Sequence, residues 1–152
     1  MRKHEWSYLA GLLDGEGTFT ISTLHPTGYP AYNFRDIYIA NTNIDVMNWL
    51  KERLDGSIRV SRESPDRNTK TLYKWHPSAK QHEYIIRNTF PFLVIKKKHA
   101  QLLMEFIELK KKQNAWGRGR NGLTEQERAE RNTILEKVSI LNQRGLKTAL
   151  ND

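Results

Sequence analysis

The pattern of apolar residues along this chain changes period in a fixed order, and this order constrains the fold more than any other feature. Apolar side chains first recur at helical spacing, at Trp6, Leu9, Leu12 and Leu13, until Gly15-Glu16-Gly17 interrupts the pattern. Two segments of alternating apolar and polar residues follow, and a helical and two alternating segments then come again. The predicted elements are a helix that ends near Gly15, strands at 18–24 and 35–40, a helix at 41–54, strands at 57–62 and 71–75, and helices at about 78–88 and 96–112.

This order predicts an α+β fold with an αββαββα core, in which the two hairpins contribute to an antiparallel sheet. A length of 152 residues suits one domain with a sizeable core. We expect residues 1–112 to form that core. Residues 113–152 would add a basic, glycine-rich loop and a C-terminal helical extension of the same domain. Thr124 and Glu127 fit a capping box at the start of that last helix.

The composition of the chain restricts its partners and its chemistry. Lys and Arg total 25 against 17 Asp and Glu, a net charge of +8, which favours a polyanion such as nucleic acid over an anionic membrane surface. No apolar stretch reaches the roughly 18 residues of a membrane span, and the first residues lack a secretory apolar segment. We therefore expect a soluble intracellular protein, in a bacterial or archaeal cytoplasm or in an organelle. The absence of cysteine excludes disulfides, thiolate zinc sites and thiol nucleophiles.

Gly11, Gly15 and Glu16 form the group of residues with the most chemical content. The two glycines lie four positions apart on one helix face, so a second copy of the helix could approach closely there, although such a pair alone is more often incidental packing or a helix end. Glu16 follows where the helix dipole disfavours an anion. A two-fold axis through paired helices would set two such carboxylates side by side, and they would need a cation between them. An oxygen-seeking divalent ion, Mg²⁺ with Mn²⁺ or Ca²⁺ as substitutes, satisfies this requirement.

Two segments carry a resemblance to a known family. Residues 9–17, Leu9-Ala10-Gly11-Leu12-Leu13-Asp14-Gly15-Glu16-Gly17, resemble the motif of the LAGLIDADG homing endonucleases, with Glu16 at the acidic position. Residues 90–98 resemble the segment that precedes that family's active-site lysine and next helix. The element order also matches over about residues 6–112. One difference is Glu in place of the usual Asp, which keeps the same ligand chemistry.

The resemblance implies a saddle-shaped sheet in the DNA major groove and, because the motif occurs once, a homodimer. It implies metal ligation by Glu16 with Gly15, catalysis by Lys96 with Lys98 as the alternative, and an active-site water ordered by Asn41. The dimer interface would be formed by Leu9, Gly11, Leu12 and Gly15. Asp14, the other acid of the motif, is expected to form hydrogen bonds near the helix end rather than to bind metal.

Alternation also predicts which sheet residues would read DNA. If Phe19, Ile21, Ile37, Ile39, Ile58 and Val60 pack against the helices, polar side chains occupy the opposite face. Alternation alone favours an ordinary solvent-exposed face, but the net charge and the motif favour a DNA surface. The expected DNA-binding residues are Thr18, Thr20, Ser22, Asp36, Tyr38, Arg59, Ser61, Lys70, Lys74, Lys98, Arg118 and Arg120.

The function that this resemblance implies is that of a Mg²⁺-dependent, intron-encoded homing endonuclease. It would cleave both strands of a near-palindromic duplex site of roughly 16 to 22 base pairs. An intron RNA maturase and a cleavage-inactive DNA-binding protein with the same fold remain alternatives. A basic structural or interaction module is a further alternative, for which Glu16 would have no role in any nucleic-acid activity.

Overall fold

The structure is a computed structural model that describes residues 1–28, 31–65, 69–113 and 122–143. It confirms the α+β architecture and the predicted order of the core elements. In chain order the elements are α1 (Lys3–Glu16), β1 (Gly17–Leu24), β2 (Tyr32–Asn41), α2 (Ile44–Leu54), β3 (Ser57–Arg62), β4 (Leu72–His76), α3 (His82–Thr89), a 3-10 turn (Phe90–Phe92), α4 (Lys97–Gln113) and α5 (Glu125–Asn142).

The strands form one antiparallel sheet of four strands in the order β1-β2-β4-β3. Gly17 lies opposite Ile39 and Thr20 opposite Asp36 in the first hairpin, and Ile39 lies opposite Trp75 where the two hairpins meet. Because side chains alternate along each strand, this register defines an inner face, which carries Phe19, Ile37, Ile39 and Trp75, and an outer face, which carries their neighbours.

The helices cover the inner face and bury it. The fully buried side chains there come from the strands and from α1, α2, α3 and α4, and include Leu9, Leu13, Phe19, Ile37, Ile39, Met47, Leu50, Trp75, Ile85, Leu103 and Phe106. Helix α5 packs on α4 and β1, and its Val138 joins the same core. The outer face of the sheet therefore has one hydrophobic core behind it.

Local hydrogen bonds set helix starts that the apolar pattern placed too early. The side chain of Asn43 accepts from the backbone amides of Asp45, at 2.9 Å, and Val46, at 3.4 Å, so α2 begins at Ile44 rather than at residue 41. In the same way, Ser78 donates to the Gln81 side chain in a turn, and α3 begins only at His82. The capping box of Thr124 and Glu127 is confirmed at the start of α5.

Strand β3 departs from the predicted alternation. Val60 was expected in the core but is 53% exposed, because β3 is an edge strand and the helices do not cover its end. A register irregularity between Val60 and Arg62 then places Arg62, not Ser61, opposite Leu72. The irregularity leaves Ser61 without a paired position in β4, so its place on the outer face stays a prediction.

No helix within the described part of the chain is long and apolar enough to cross a membrane.

Candidate functional site

The junction between α1 and β1 places Glu16 at the end of the sheet. The helix ends at Glu16 and the strand begins at Gly17 with no loop between them. A Cβ atom at Gly17 would lie 2.6 Å from the carbonyl oxygen of Leu13, so this close passage of the backbone requires glycine. Glu16 is exposed at this corner, where the last carbonyl groups of a helix attract cations. Its position follows directly from the motif.

Asp14 ties a second segment to this junction. Its Oδ2 accepts from the backbone N–H of Val94 at 2.8 Å, and its Oδ1 accepts from those of Ile95 at 3.1 Å and Lys96 at 2.8 Å. Hydrogen bonds from amides to a carboxylate are stronger than those to a neutral acceptor. The segment that leads into α4 is thus held by an acid of α1, a role in keeping with the expectation for Asp14.

Lys96 points toward the same corner. Its ammonium donates a hydrogen bond to the backbone carbonyl of Gly17. Partial burial lowers the pKa of Lys96 below its ordinary value, and the negative charges of Asp14 and Glu16 oppose that shift. The geometry therefore gathers a carboxylate and an ammonium, Glu16 and Lys96, from two elements distant in sequence.

The other two lysines of this segment lie elsewhere. The ammonium of Lys97 sits 5.1 Å from the centre of the Phe90 ring. Lys98 is exposed in the first turn of α4. The contact with Gly17 distinguishes Lys96 from Lys98, its predicted alternative.

Asn41 is the last residue of β2. Since Gly17 lies opposite Ile39, the end of β2 extends past the start of β1 toward the α1 junction. The Asn41 Oδ1 accepts from the backbone N–H of Asn43 at 2.9 Å. This bond fixes the amide and leaves the Nδ2 group as the donor for a neighbouring ligand.

The outward surface of α1 has little side-chain bulk. Gly11 and Gly15 are exposed, and a Cβ atom added to either would meet no atom within 4 Å. Leu12 is half-buried on this surface, whereas Leu9 is fully buried in the core of its own chain. The assignment of Leu9 to a dimer interface was therefore wrong, because its side chain points inward. Tyr8, three positions before Gly11, is 50% exposed and shares this surface, a placement that helical spacing from Gly11 could have predicted.

The outer face of the sheet brings together most of the residues predicted to contact DNA. The register places Thr18 opposite Tyr38, Thr20 opposite Asp36, and Lys74 opposite Arg59. Ser22 lies on this face too, and Lys70 is exposed just before β4. Other residues on this face, not predicted from the sequence to contact DNA, include Phe34, Ser57, Arg62 and His76. Arg118 and Arg120 lie outside the described residues.

A compact group of polar contacts occupies the middle of this outer face. His76 Nδ1 lies 3.0 Å from Asp36 Oδ2 across β4 and β2. The rings of His76 and Tyr38 are 5.2 Å apart, and the Lys74 ammonium is 4.7 Å from the centre of the Tyr38 ring. His76 was missed because the predicted strand stopped at Trp75, while β4 continues one residue further.

The donor groups at the α1 corner suit an oxygen-seeking cation. Glu16 offers an exposed carboxylate, and Gly15 offers a backbone carbonyl from the last turn of α1. Within the described ranges no group of three or more His, Asp or Glu side chains is arranged to hold a metal. Because the Asp14 carboxylate already accepts from three backbone amides, Glu16 is the exposed acid of the motif at this corner.

Comparison with known proteins identifies the fold. No family model matches the chain, and no curated protein matches it. The homing endonuclease I-CvuI, solved with uncleaved target DNA in the presence of magnesium, superposes with a TM-score of 0.73 at 16% identity, over 95% of this chain and 85% of that one. The archaeal intron-encoded homing endonuclease I-Vdi141I, complexed with DNA, gives 0.69 at 16% identity, over 95% and 88%. The LAGLIDADG homing endonuclease I-LtrWI, bound to target DNA, gives 0.67 at 20% identity, over 90% of this chain and 44% of that one. The chain has the fold of the LAGLIDADG homing endonucleases.

Proposed function

We propose that this chain is a site-specific homing endonuclease that cleaves both strands of a long DNA duplex as a metal-dependent homodimer. The observation that carries the proposal is the corner formed by α1 and the Lys96 segment. There the Lys96 ammonium contacts the Gly17 carbonyl within range of the charge of the exposed Glu16, next to the glycine-lined surface of α1. The neighbours that share this fold and carry DNA support the same function.

The α1 surface supports assembly of two copies. Open space beside Gly11 and Gly15 lets a second α1 approach to backbone contact, with Tyr8 and Leu12 on either side. A two-fold axis here would bring the two Glu16 carboxylates together. The match to 44% of the I-LtrWI chain supports this arrangement, because one copy of the present chain corresponds to about half of that protein.

Glu16 and Gly15 would hold the cation, Mg²⁺ by preference. A bound divalent ion supplies Lewis acidity for phosphodiester hydrolysis and lowers the pKa of water. Glu16 binds and orients the ion. Lys96, pre-positioned by Asp14 and Gly17, places a positive charge where negative charge develops on the scissile phosphate. Asn41 positions water with its Nδ2 group.

The outer face of the sheet would read the DNA. Its Thr, Ser, Tyr, Lys and Arg side chains suit the hydrogen-bonding edges of bases and phosphates, and the net charge of +8 favours association with a polyanion. Thr18, Thr20, Ser22, Asp36, Tyr38, Arg59 and Lys74 would lie nearest the bases. Lys70 and Lys98 would contact the backbone. Residues 113–152 would extend the same domain, a view supported by the packing of α5 on α4 and β1.

The proposal is tested by selection and cleavage. A duplex library randomised over about 22 base pairs is selected for binding in Ca²⁺, and enriched sites are cloned into a supercoiled plasmid. If the coding sequence lies within an intron, the joined flanks provide an independent candidate site.

The expected result is linear plasmid in Mg²⁺ and intact plasmid in EDTA. Binding without cleavage would instead indicate a cleavage-inactive DNA-binding protein. Promotion of splicing of the host intron RNA without DNA cleavage would indicate a maturase. Absence of any enriched DNA, cleavage or splicing would contradict a nucleic-acid function and favour an interaction module.

A further inference from the structure

Asp36 is an exceptional residue on the sheet. It is the only Asp or Glu among the residues of β1, β2, β3 and β4, and it lies on the outer face opposite Thr20. A carboxylate on a surface that meets DNA phosphates is repelled by them, so it weakens binding unless it makes a compensating contact. The position of Asp36 therefore calls for a partner that carries a hydrogen-bond donor.

The structure fixes the orientation of this carboxylate. His76 Nδ1 lies 3.0 Å from Asp36 Oδ2, and both side chains are mostly buried, with exposed fractions of 24% for His76 and 23% for Asp36. The His76 ring is in turn packed against the Tyr38 ring, and the Lys74 ammonium lies over the Tyr38 ring. Within the described part of the chain, the contact of Asp36 with His76 engages Oδ2, which leaves Oδ1 as the acceptor on this face.

We propose that Asp36, held in place by His76, reads a cytosine in each half of the DNA target, an inference that rests on the proposed function. In the major groove only cytosine presents an amino donor without a neighbouring N7 acceptor, and Asp and Glu are its usual partners. The Oδ1 atom of Asp36 accepts from that N4 amino group. His76 is the positioning residue, because it holds Oδ2 and so turns Oδ1 outward.

The register predicts where this cytosine lies. Asp36 pairs with Thr20, three residues along β1 from Gly17 at the catalytic corner. At about 3.3 Å per residue this is about 10 Å, which corresponds to roughly 3 base pairs. The cytosine should thus occur about three base pairs outward from the position nearest Glu16, symmetrically in both half-sites.

The test compares the sites selected by variants from the randomised duplex library in Ca²⁺. Wild type should enrich cytosine at this position in each half. Asp36→Asn should lose that preference by roughly ten- to a hundred-fold and shift it toward adenine, which matches an amide. His76→Leu should weaken the preference, whereas His76→Gln, which keeps a donor for Oδ2, should restore most of it. Asp45→Asn, which removes an exposed acid of α2 and the same charge, is the matched control and should leave the profile unchanged.

Identical base preferences for wild type and Asp36→Asn would overturn the inference, and so would a wild-type profile without the cytosine. In either case, continued enrichment and cleavage of a defined site would leave the proposed function standing. A wild type that enriches no sequence and cuts no DNA would overturn both. Thermal unfolding of each variant distinguishes a change in base reading from a change in stability, since a purely structural pair would alter the melting temperature without altering base preference.

Discussion

The backbone N–H of Lys96 donates to the carboxylate of Asp14 at 2.8 Å, across 82 positions of the chain. Through this bond α1, the helix that ends at Glu16, also holds the backbone of Lys96, whose ammonium donates to the Gly17 carbonyl. The two acids of the motif consequently have separate tasks. Asp14 organises the protein, and Glu16 remains exposed for a ligand.

Removal of the Asp14 carboxylate should destabilise the fold and displace Lys96. Asp14→Ala loses three amide hydrogen bonds, and we expect the free energy of unfolding to fall by about 2 kcal/mol. Asp14→Asn keeps one acceptor oxygen and should lose less. Urea unfolding measures both, with Glu136→Ala on the exposed surface of α5 as the control. Equal unfolding free energies of wild type and Asp14→Ala would show that these hydrogen bonds make no net contribution to stability.

Replacement of Lys96 should reduce cleavage without preventing DNA binding. Lys96→Met removes the charge that we propose lies nearest the scissile phosphate, and we expect the single-turnover cleavage rate to fall roughly 10²- to 10³-fold. Lys98→Met, a neighbouring change of the same kind, should reduce the rate far less, because Lys98 is exposed away from the Gly17 contact. The opposite order of the two effects would assign the catalytic role to Lys98.

A larger side chain at Gly11 should weaken the proposed dimer without unfolding either chain. A Cβ atom there meets nothing within one chain, and alanine is a better helix former than glycine by about 1 kcal/mol. We therefore expect Gly11→Ala and Gly11→Leu to fold, with dimer dissociation constants raised at least about ten-fold, an effect of about 1.4 kcal/mol. Sedimentation equilibrium measures the constant, and Ser139→Ala on α5 is the control. A wild type that sediments as a monomer on its target, or an unchanged constant in Gly11→Leu, would exclude this interface.

His82 should make stability depend on pH. It is 1% exposed, and burial, with a smaller effect from the Arg35 charge, lowers its pKa from 6.5 to about 4. Between these values the unfolded chain binds a proton that the folded chain does not, so the unfolding free energy is complete above pH 6.5 and falls as pH decreases toward 4. The full loss is about 3 kcal/mol.

In the His82→Leu variant the unfolding free energy should change less steeply with pH between about 4 and 6.5, whatever its value at neutral pH. A residual slope is expected from His99, whose pKa burial also lowers. His25→Gln, in the exposed turn after β1, should keep the wild-type slope. If the unfolding free energy of wild type and of His82→Leu depended on pH in the same way, the assignment of this effect to His82 would be contradicted.

The parts of the fold that depend on periodicity and on backbone chemistry could be predicted from the sequence. Alternation located the inner faces of β1 and β2, because every second residue there meets the helices. The motif located Glu16, because glycine at position 17 is needed for a helix to enter a strand without a loop. The fold of the family implied by residues 9–17 and 90–98 is confirmed by the structural neighbours.

Other features depend on contacts that no local pattern encodes. The exposure of Val60 arises from the edge position of β3 and its irregular register. Leu9 has the helical spacing of an interface residue, but only the packed structure shows that it faces the core. The contact of His76 with Asp36 joins residues 40 positions apart, so it follows from strand order rather than from sequence. The roles of Glu16, Lys96 and Asn41 stay predictions.

We propose above all that Glu16 binds the metal through which this protein cuts DNA. The most direct test of this proposal is cleavage and binding of the selected duplex in Mg²⁺ by wild type, Glu16→Gln and the conservative control Glu16→Asp. We expect cleavage by wild type and by Glu16→Asp, and full binding without cleavage by Glu16→Gln. Cleavage by Glu16→Gln at the wild-type rate would contradict this proposal.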